Sequence, residues 1–175
     1  NLHDNTHSKS RRGRSAPLNM VLTESNATSS VGKLLPELAG KLTGNSIRVP
    51  VPNVSMAILN LTIENASSVQ EVNEYLRDVS LNSSMQRQID YQVSSEVVSS
   101  DFVGNRHAGI IDSQATIVSG CQVVLYVWYD NEFGYSCQVL RCVQKMAGIK
   151  YPLVPAQPSS SDASNPAVVS QLKTA

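Results

Sequence analysis

The stretch from Ser113 to Gly148 constrains the fold most. "SQATIVSGCQVVLYVWY" holds two β-rich runs around Ser119-Gly120, the pattern of a hairpin. Its second run passes through "DNEFGYS" into "SCQVLRCVQKMAG", so a helix is expected from about Glu132 to Met146. A strand that folds back on its neighbour and then enters a helix calls for antiparallel pairing. The junction "WYDNEFGYS" admits two readings. One is an Asp/Asn helix cap followed by aromatic packing. The other is a ligand contact, because such junctions hold side chains rigidly yet leave them reachable. Asn131 offers both a donor and an acceptor, which suits recognition of an amide.

Upstream, Val31, Leu34, Leu35 and Leu38 recur at helical spacing and predict a helix over about Ala27–Leu38, with Ser25 and Asn26 as N-cap types. Gly40 and Gly44 then break the chain. "IRVPVPNVSMAILNLTIE" reads as extended, and Pro50 and Pro52 suit an edge or bend. From Val54 onward the strand is apolar on both faces, which predicts cover on both. Ser68 and Glu71 form a capping box ahead of the stripe Val69, Val72, Leu76, Val79. A shorter helix is expected around Ser84–Ile89. Short strands are expected at Val97–Val98 and His107–Asp112. Hairpins and helices mix without βαβ alternation, which argues for α+β. No Gly-rich dinucleotide fingerprint occurs.

The length suffices for one domain with a core. Fourteen basic and fourteen acidic residues balance to +0, which gives no basis for a nucleic-acid or membrane-surface partner. No apolar run approaches the roughly 18 residues of a membrane-spanning helix. The polar, basic start lacks a signal core. Cys121, Cys137 and Cys142 are an odd count, read as reduced thiols in a cytosol-like compartment and packed in the core. No Cys/His spacing fits a metal site. Asn-x-Ser/Thr triplets at Asn26, Asn53, Asn60, Asn65 and Asn82 read as chance without a secretory context. Residues 151–175, rich in Pro and Ser, read as a disordered tail.

Local chemistry singles out three more places. The helix start after Ser25 offers unsatisfied N–H groups and a positive dipole end, suited to an anion or to self-capping. Arg48 stands in an apolar extended stretch. Half-buried there, it needs an anionic partner, either a structural carboxylate or a ligand phosphate. Arg11, Arg12 and Arg14 surround Gly13 in a solvated loop or one facing an anion or a subunit. His107, with Asp101 and Asp112 near in sequence, lacks a nucleophile and reads as structural.

"PELAGKLTGNSIRVPVPNVS", "VVSSDF" and "WYDNEFGYS", in this order, resemble phosphorylating glyceraldehyde-3-phosphate dehydrogenase over roughly residues 10–148. The resemblance implies that family's catalytic domain, a mixed, largely antiparallel sheet with helices on one face, incomplete at its N-terminus and spanning 1–150. It implies a cytoplasmic homotetramer using NAD or NADP in glycolysis or gluconeogenesis. The reaction oxidises glyceraldehyde 3-phosphate through a cysteine thioester, which inorganic phosphate releases as 1,3-bisphosphoglycerate.

By position, the resemblance gives Arg48 the substrate phosphate. It gives Ser25 and Asn26, a Thr-Gly pair in the family, the attacking phosphate. Asn131 would hold the nicotinamide carboxamide, with Tyr135 beside the ring. Residues 1–20 match the family's S-shaped loop. The junction is then a cofactor contact rather than a mere cap. Ser25 keeps the hydroxyl; Asn26 keeps the N–H but adds bulk. The family's Ser-Cys-Thr-Thr-Asn motif and its later catalytic His do not occur in the chain, and His3 and His7 lack the right context. The expectation is therefore part of a dehydrogenase, inactive by itself. Two alternatives stand beside it: erythrose-4-phosphate dehydrogenase, and a non-catalytic interaction protein on the same domain.

Overall fold

The computed structural model describes residues 4–8, 10–65 and 67–152. Most of the expected tail at 151–175, and His3, lie outside the described residues. The chain divides into two compact units, Asn1–Pro52 and Asn53–Ala175.

The first unit is built on strands β1 (Val21–Glu24) and β2 (Asn45–Arg48), paired antiparallel with Val21 opposite Arg48 and Glu24 opposite Asn45. Helix α1 runs only from Ala27 to Leu34, and a 3-10 turn follows at Pro36–Leu38. Pro36 explains the shorter helix: proline disfavours helical backbone in the preceding residue, and Leu35 takes φ −122° and ψ 84°. Ahead of β1, the basic loop folds into a 3-10 turn at Ser10–Gly13. The Asn5 N–H donates to the Gly13 carbonyl at 2.7 Å. A side chain at position 13 would collide with the Asn5 carbonyl, so the turn requires glycine.

The second unit is a five-stranded mixed sheet. Strand β7 (Gln122–Tyr129) is its centre. Along one edge it pairs antiparallel with β3 (Ser55–Thr62) over the whole length. Its other edge is shared by β5 (Gly109–Asp112) and β6 (Ile117–Ser119), both antiparallel. Strand β4 (Ile89–Gln92) closes the order, parallel to β5. The hairpin β6–β7 turns at Gly120 and Cys121, and Gly120 takes φ 58°. Helix α2 (Val69–Asn82) begins in the expected capping box, with Ser68 Oγ accepting from the Glu71 N–H at 3.1 Å and the Glu71 carboxylate from the Ser68 N–H at 2.8 Å. Helix α3 covers Phe133–Met146. The fold is α+β, with a mixed, mostly antiparallel sheet.

Val54, Phe102 and Ile110 form the buried cluster, with Trp128 and Val97 against it. Phe102 stacks on Trp128 at 5.3 Å between ring centroids. Trp128 Nε1 donates to Asp112 Oδ2 at 3.0 Å, which satisfies the indole in the interior. Val54 adopts φ 71°, a left-handed conformation that costs a β-branched residue roughly 1–3 kcal/mol. Its place in the apolar cluster holds it there.

Several expectations are corrected. Ser84–Ile89 is a run of turns, and Ile89 opens β4. Ser83 Oγ accepts from the Met85 N–H at 3.0 Å, and Ile89 pairs with Gly109, so side chain and sheet both outcompete a helical turn. Val97–Val98 is not a strand, and the strand expected from His107 starts at Gly109. Strand β3 is not covered on both faces: Met56 and Ile58 on one face and Leu59 and Leu61 on the other are exposed. Core packing fails for the cysteines. Cys142 is exposed, Cys121 and Cys137 are half-buried, and Cys121 lies in the hairpin turn rather than in a strand. The outer face of α3, which carries Cys142, has no layer packed on it among the described residues, and Val139, Leu140, Val143 and Met146 are exposed as well.

Candidate functional site

In the first unit the β1–β2 ladder and the basic loop enclose a hollow of about 360 Å3, with Arg12, Arg14, Asn19, Thr23 and Arg48 among its lining residues. The register explains the gathering. Val21 and Thr23 alternate along β1 onto one face, and Arg48 sits directly opposite Val21. The loop that carries Arg12 and Arg14 is tied down by Asp4: Asp4 Oδ1 accepts from the Ser15 N–H at 2.7 Å and from Arg14 Nε at 3.3 Å. The Ser15 N–H, more than Arg14, keeps the Asp4 carboxyl below its ordinary range. Of the three arginines, Arg14 alone has a carboxylate partner among the described residues. Thr23 Oγ1 is buried with no hydrogen-bond partner among them. Guanidinium groups and an unspent hydroxyl around one hollow suit a multiply charged oxyanion.

Arg48 is exposed, not half-buried as its apolar neighbours suggested, because β2 leaves three of its four residues open. Ser25 and Asn26 stand at the other end of the ladder. Four residues along β1 separate Ser25 from the partner of Arg48, roughly 13 Å of strand. Neither lines the hollow. Ser25 Oγ accepts from the Ala27 N–H at 3.2 Å, and the Asn26 side chain makes no cap. The helix start is thus partly self-capped, and its Asn26 amide is exposed. The place of Arg12 and Arg14 in the basic loop was legible in "SRRGR"; their position on the hollow was not. Thr23 carried no signal beyond its alternation with Val21.

In the second unit the strand-to-helix junction turns on Asp130, which is 2% exposed. Its Oδ1 accepts from the Glu132 and Phe133 N–H groups at 2.8 and 2.7 Å, and its Oδ2 from the Gly104 N–H at 2.8 Å and Asn53 Nδ2 at 3.1 Å. The Gly104 N–H contributes most to holding this carboxyl below its ordinary range; burial opposes it, and the Phe133, Glu132 and Asn53 donors reinforce it. Asp130 therefore caps α3, while Asn131, the next residue, is exposed and its amide has no partner among the described residues. Tyr135, one turn into α3, is 68% exposed. The cap reading of the junction therefore holds for Asp130, and the adjacent Asn131 leaves a donor and an acceptor open to a ligand.

His107 Nδ1 lies 2.9 Å from Asn105 Oδ1 and 3.5 Å from Asp90 Oδ2. Its ring is engaged by Asn105 of its own loop and by Asp90 of β4. No cluster of three or more metal-ligating side chains occurs among the described residues. No helix among them is long and apolar enough to cross a membrane.

A family model described as glyceraldehyde 3-phosphate dehydrogenase, C-terminal domain, matches residues 1–131. The chain is 62% identical over 155 residues to a glyceraldehyde-3-phosphate dehydrogenase-like protein of Pseudomonas aeruginosa, which covers 89% of the chain and 34% of that protein. It is 40% identical over 147 residues to glyceraldehyde-3-phosphate dehydrogenase 2 of Trichormus variabilis, with 83% of the chain and 43% of the relative covered. It is 39% identical over 143 residues to glyceraldehyde-3-phosphate dehydrogenase of Mycobacterium leprae, covering 82% and 42%. The chain thus spans well under half the length of these relatives. The match over most of its residues, on an α+β fold of the kind that family's C-terminal domain implies, means that the chain belongs to the glyceraldehyde-3-phosphate dehydrogenase family and corresponds to its C-terminal part.

Proposed function

We propose that the native protein containing this chain is a phosphorylating aldehyde dehydrogenase. It would take glyceraldehyde 3-phosphate, inorganic phosphate and NAD or NADP, and work in glycolysis or gluconeogenesis as a cytoplasmic homotetramer. Residues 1–150 are part of its catalytic domain, and 1–20 its S-shaped loop. The observation that carries this assignment is the arginine-lined hollow of the first unit, with Thr23 Oγ1 unsatisfied in its wall.

Each residue has a physical task. Arg48, aided by Arg12 and Arg14, neutralises the substrate phosphate and keeps the aldehyde from drifting. The Thr23 hydroxyl donates to the same group. Ser25 and the N–H groups at the start of α1 receive the attacking phosphate, at a place separated from Arg48 along the ladder. Asn131 holds the nicotinamide carboxamide through both amide atoms, and Tyr135 lies beside the ring. The bound cofactor supplies the hydride acceptor. The thiol nucleophile and its base come from outside this chain's sequence, so the chain alone is inactive.

The test is to assay the native protein with glyceraldehyde 3-phosphate, phosphate and either cofactor, following reduced nicotinamide. Phosphate-dependent turnover supports the assignment. Turnover confined to erythrose 4-phosphate would move the substrate to the longer sugar. No turnover with either aldehyde, from a protein lacking the cysteine motif, would leave only an interaction role.

A further inference from the structure

The Asp130 carboxylate receives three backbone donors and one side-chain donor, the amide of Asn53, seventy-seven residues away in sequence. Asn53 adjoins an unusual backbone. The next residue, Val54, is left-handed at φ 71° and locked by burial against Phe102 and Ile110. The same carboxylate takes the Gly104 N–H, so one buried group ties the start of β3, the loop before β5 and the start of α3. Asn131 lies between the clamped Asp130 side chain and the clamped Glu132 N–H, and its own amide has no partner among the described residues. Little freedom is left to the backbone that presents that amide.

We infer that Asn53 is a positioning residue for recognition of the nicotinamide carboxamide, acting through Asp130 on Asn131. This rests on the role given to Asn131 above. Removing the Asn53 donor leaves the Asp130 carboxylate with backbone partners alone, and Oδ2 with only the Gly104 N–H. The carboxylate can then rotate, and the corner that carries Asn131 loosens. The loss falls on the amide-to-carboxamide contact and leaves the rest of the cofactor's binding energy in place.

The experiment is a calorimetric titration of the native protein, without aldehyde, using the oxidised cofactor and an analogue whose carboxamide is replaced by an acetyl group. The parent protein should favour the carboxamide. Asn53→Leu should weaken binding of the true cofactor about three- to tenfold while changing the analogue little, so that discrimination collapses. Asn131→Ala should abolish discrimination outright. If Asn131→Ala retains it, or the parent shows none, the nicotinamide role of Asn131 fails and this inference with it. If Asn131→Ala loses discrimination but Asn53→Leu keeps it, or weakens both ligands equally, the role of Asn53 alone is overturned. Should Asn53→Leu not fold, Asn53→Ser decides by the same titration.

Discussion

Asp130 joins three separate segments of the second unit, bonding Asn53, Gly104 and the start of α3. Its carboxylate is buried and is stabilised ionised, first by the Gly104 N–H and then by the Phe133, Glu132 and Asn53 donors, against its burial. A carboxyl with a depressed folded pKa stabilises the fold at every pH above its unfolded value of about 3.9. That contribution is lost as pH falls through the lower folded value. The native protein is therefore expected to lose stability below about pH 4, with Asp130 supplying part of the slope. Urea unfolding of the parent and of Asp130→Asn across this acid range checks it. The variant should be weaker near neutrality and show a flatter acid limb; an unchanged limb would reject the assignment. Sequence chemistry marked the Asp130–Asn131 pair as cap or contact but could not say which residue caps α3. The answer depends on Asn53 and Gly104, which only the folded chain brings to Asp130. The left-handed Val54 was invisible for a related reason: tertiary packing imposes that backbone, and no local preference announces it.

At the scale of elements, legibility followed length and self-sufficiency. Helix α2 and helix α3 carry their signals within themselves: α2 starts at the expected capping box, and α3 lies close to its expected bounds. The β6–β7 hairpin likewise announces its turn. Strands β1 and β4 are four residues each, too short for a period, and β4 exists because β5 pairs with it. The arginine hollow was half legible: the basic loop and Arg48 stood out separately, and the register that joins them did not. Helix α3 gives a sharp test of how closely its first turn is seated. A methyl group added at Gly134 would meet the His107 carbonyl oxygen at 2.9 Å and that of Asn105 at 3.2 Å. Both obstacles are backbone, so the helix must move. Gly→Ala inside a helix normally gains roughly 0.5–1 kcal/mol, whereas forced overpacking costs about 1–3 kcal/mol. The clash should win: Gly134→Ala is expected to lower the melting temperature of the native protein. A rise would show that α3 is seated more loosely than these distances imply.

For the whole molecule, the exposed apolar residues matter most. Met56, Ile58, Leu59 and Leu61 of β3 and Val139, Leu140, Val143 and Met146 of α3 are open to solvent. Soluble monomers rarely leave such patches uncovered. Under the proposed function, the rest of a longer protein or another copy would cover them. An excised 1–152 chain is accordingly expected to self-associate at micromolar concentration; a monodisperse monomer by sedimentation would contradict this. The central claim concerns the phosphate. The measurement that tests it most directly is kcat/KM of the native protein and of Arg48→Ala, each with glyceraldehyde 3-phosphate and with unphosphorylated glyceraldehyde. Losing one charge-assisted contact should lower the value for the phosphorylated aldehyde about 10- to 100-fold and leave the other nearly unchanged. An equal fall with both aldehydes, or none with either, would contradict the assignment of Arg48 to the substrate phosphate.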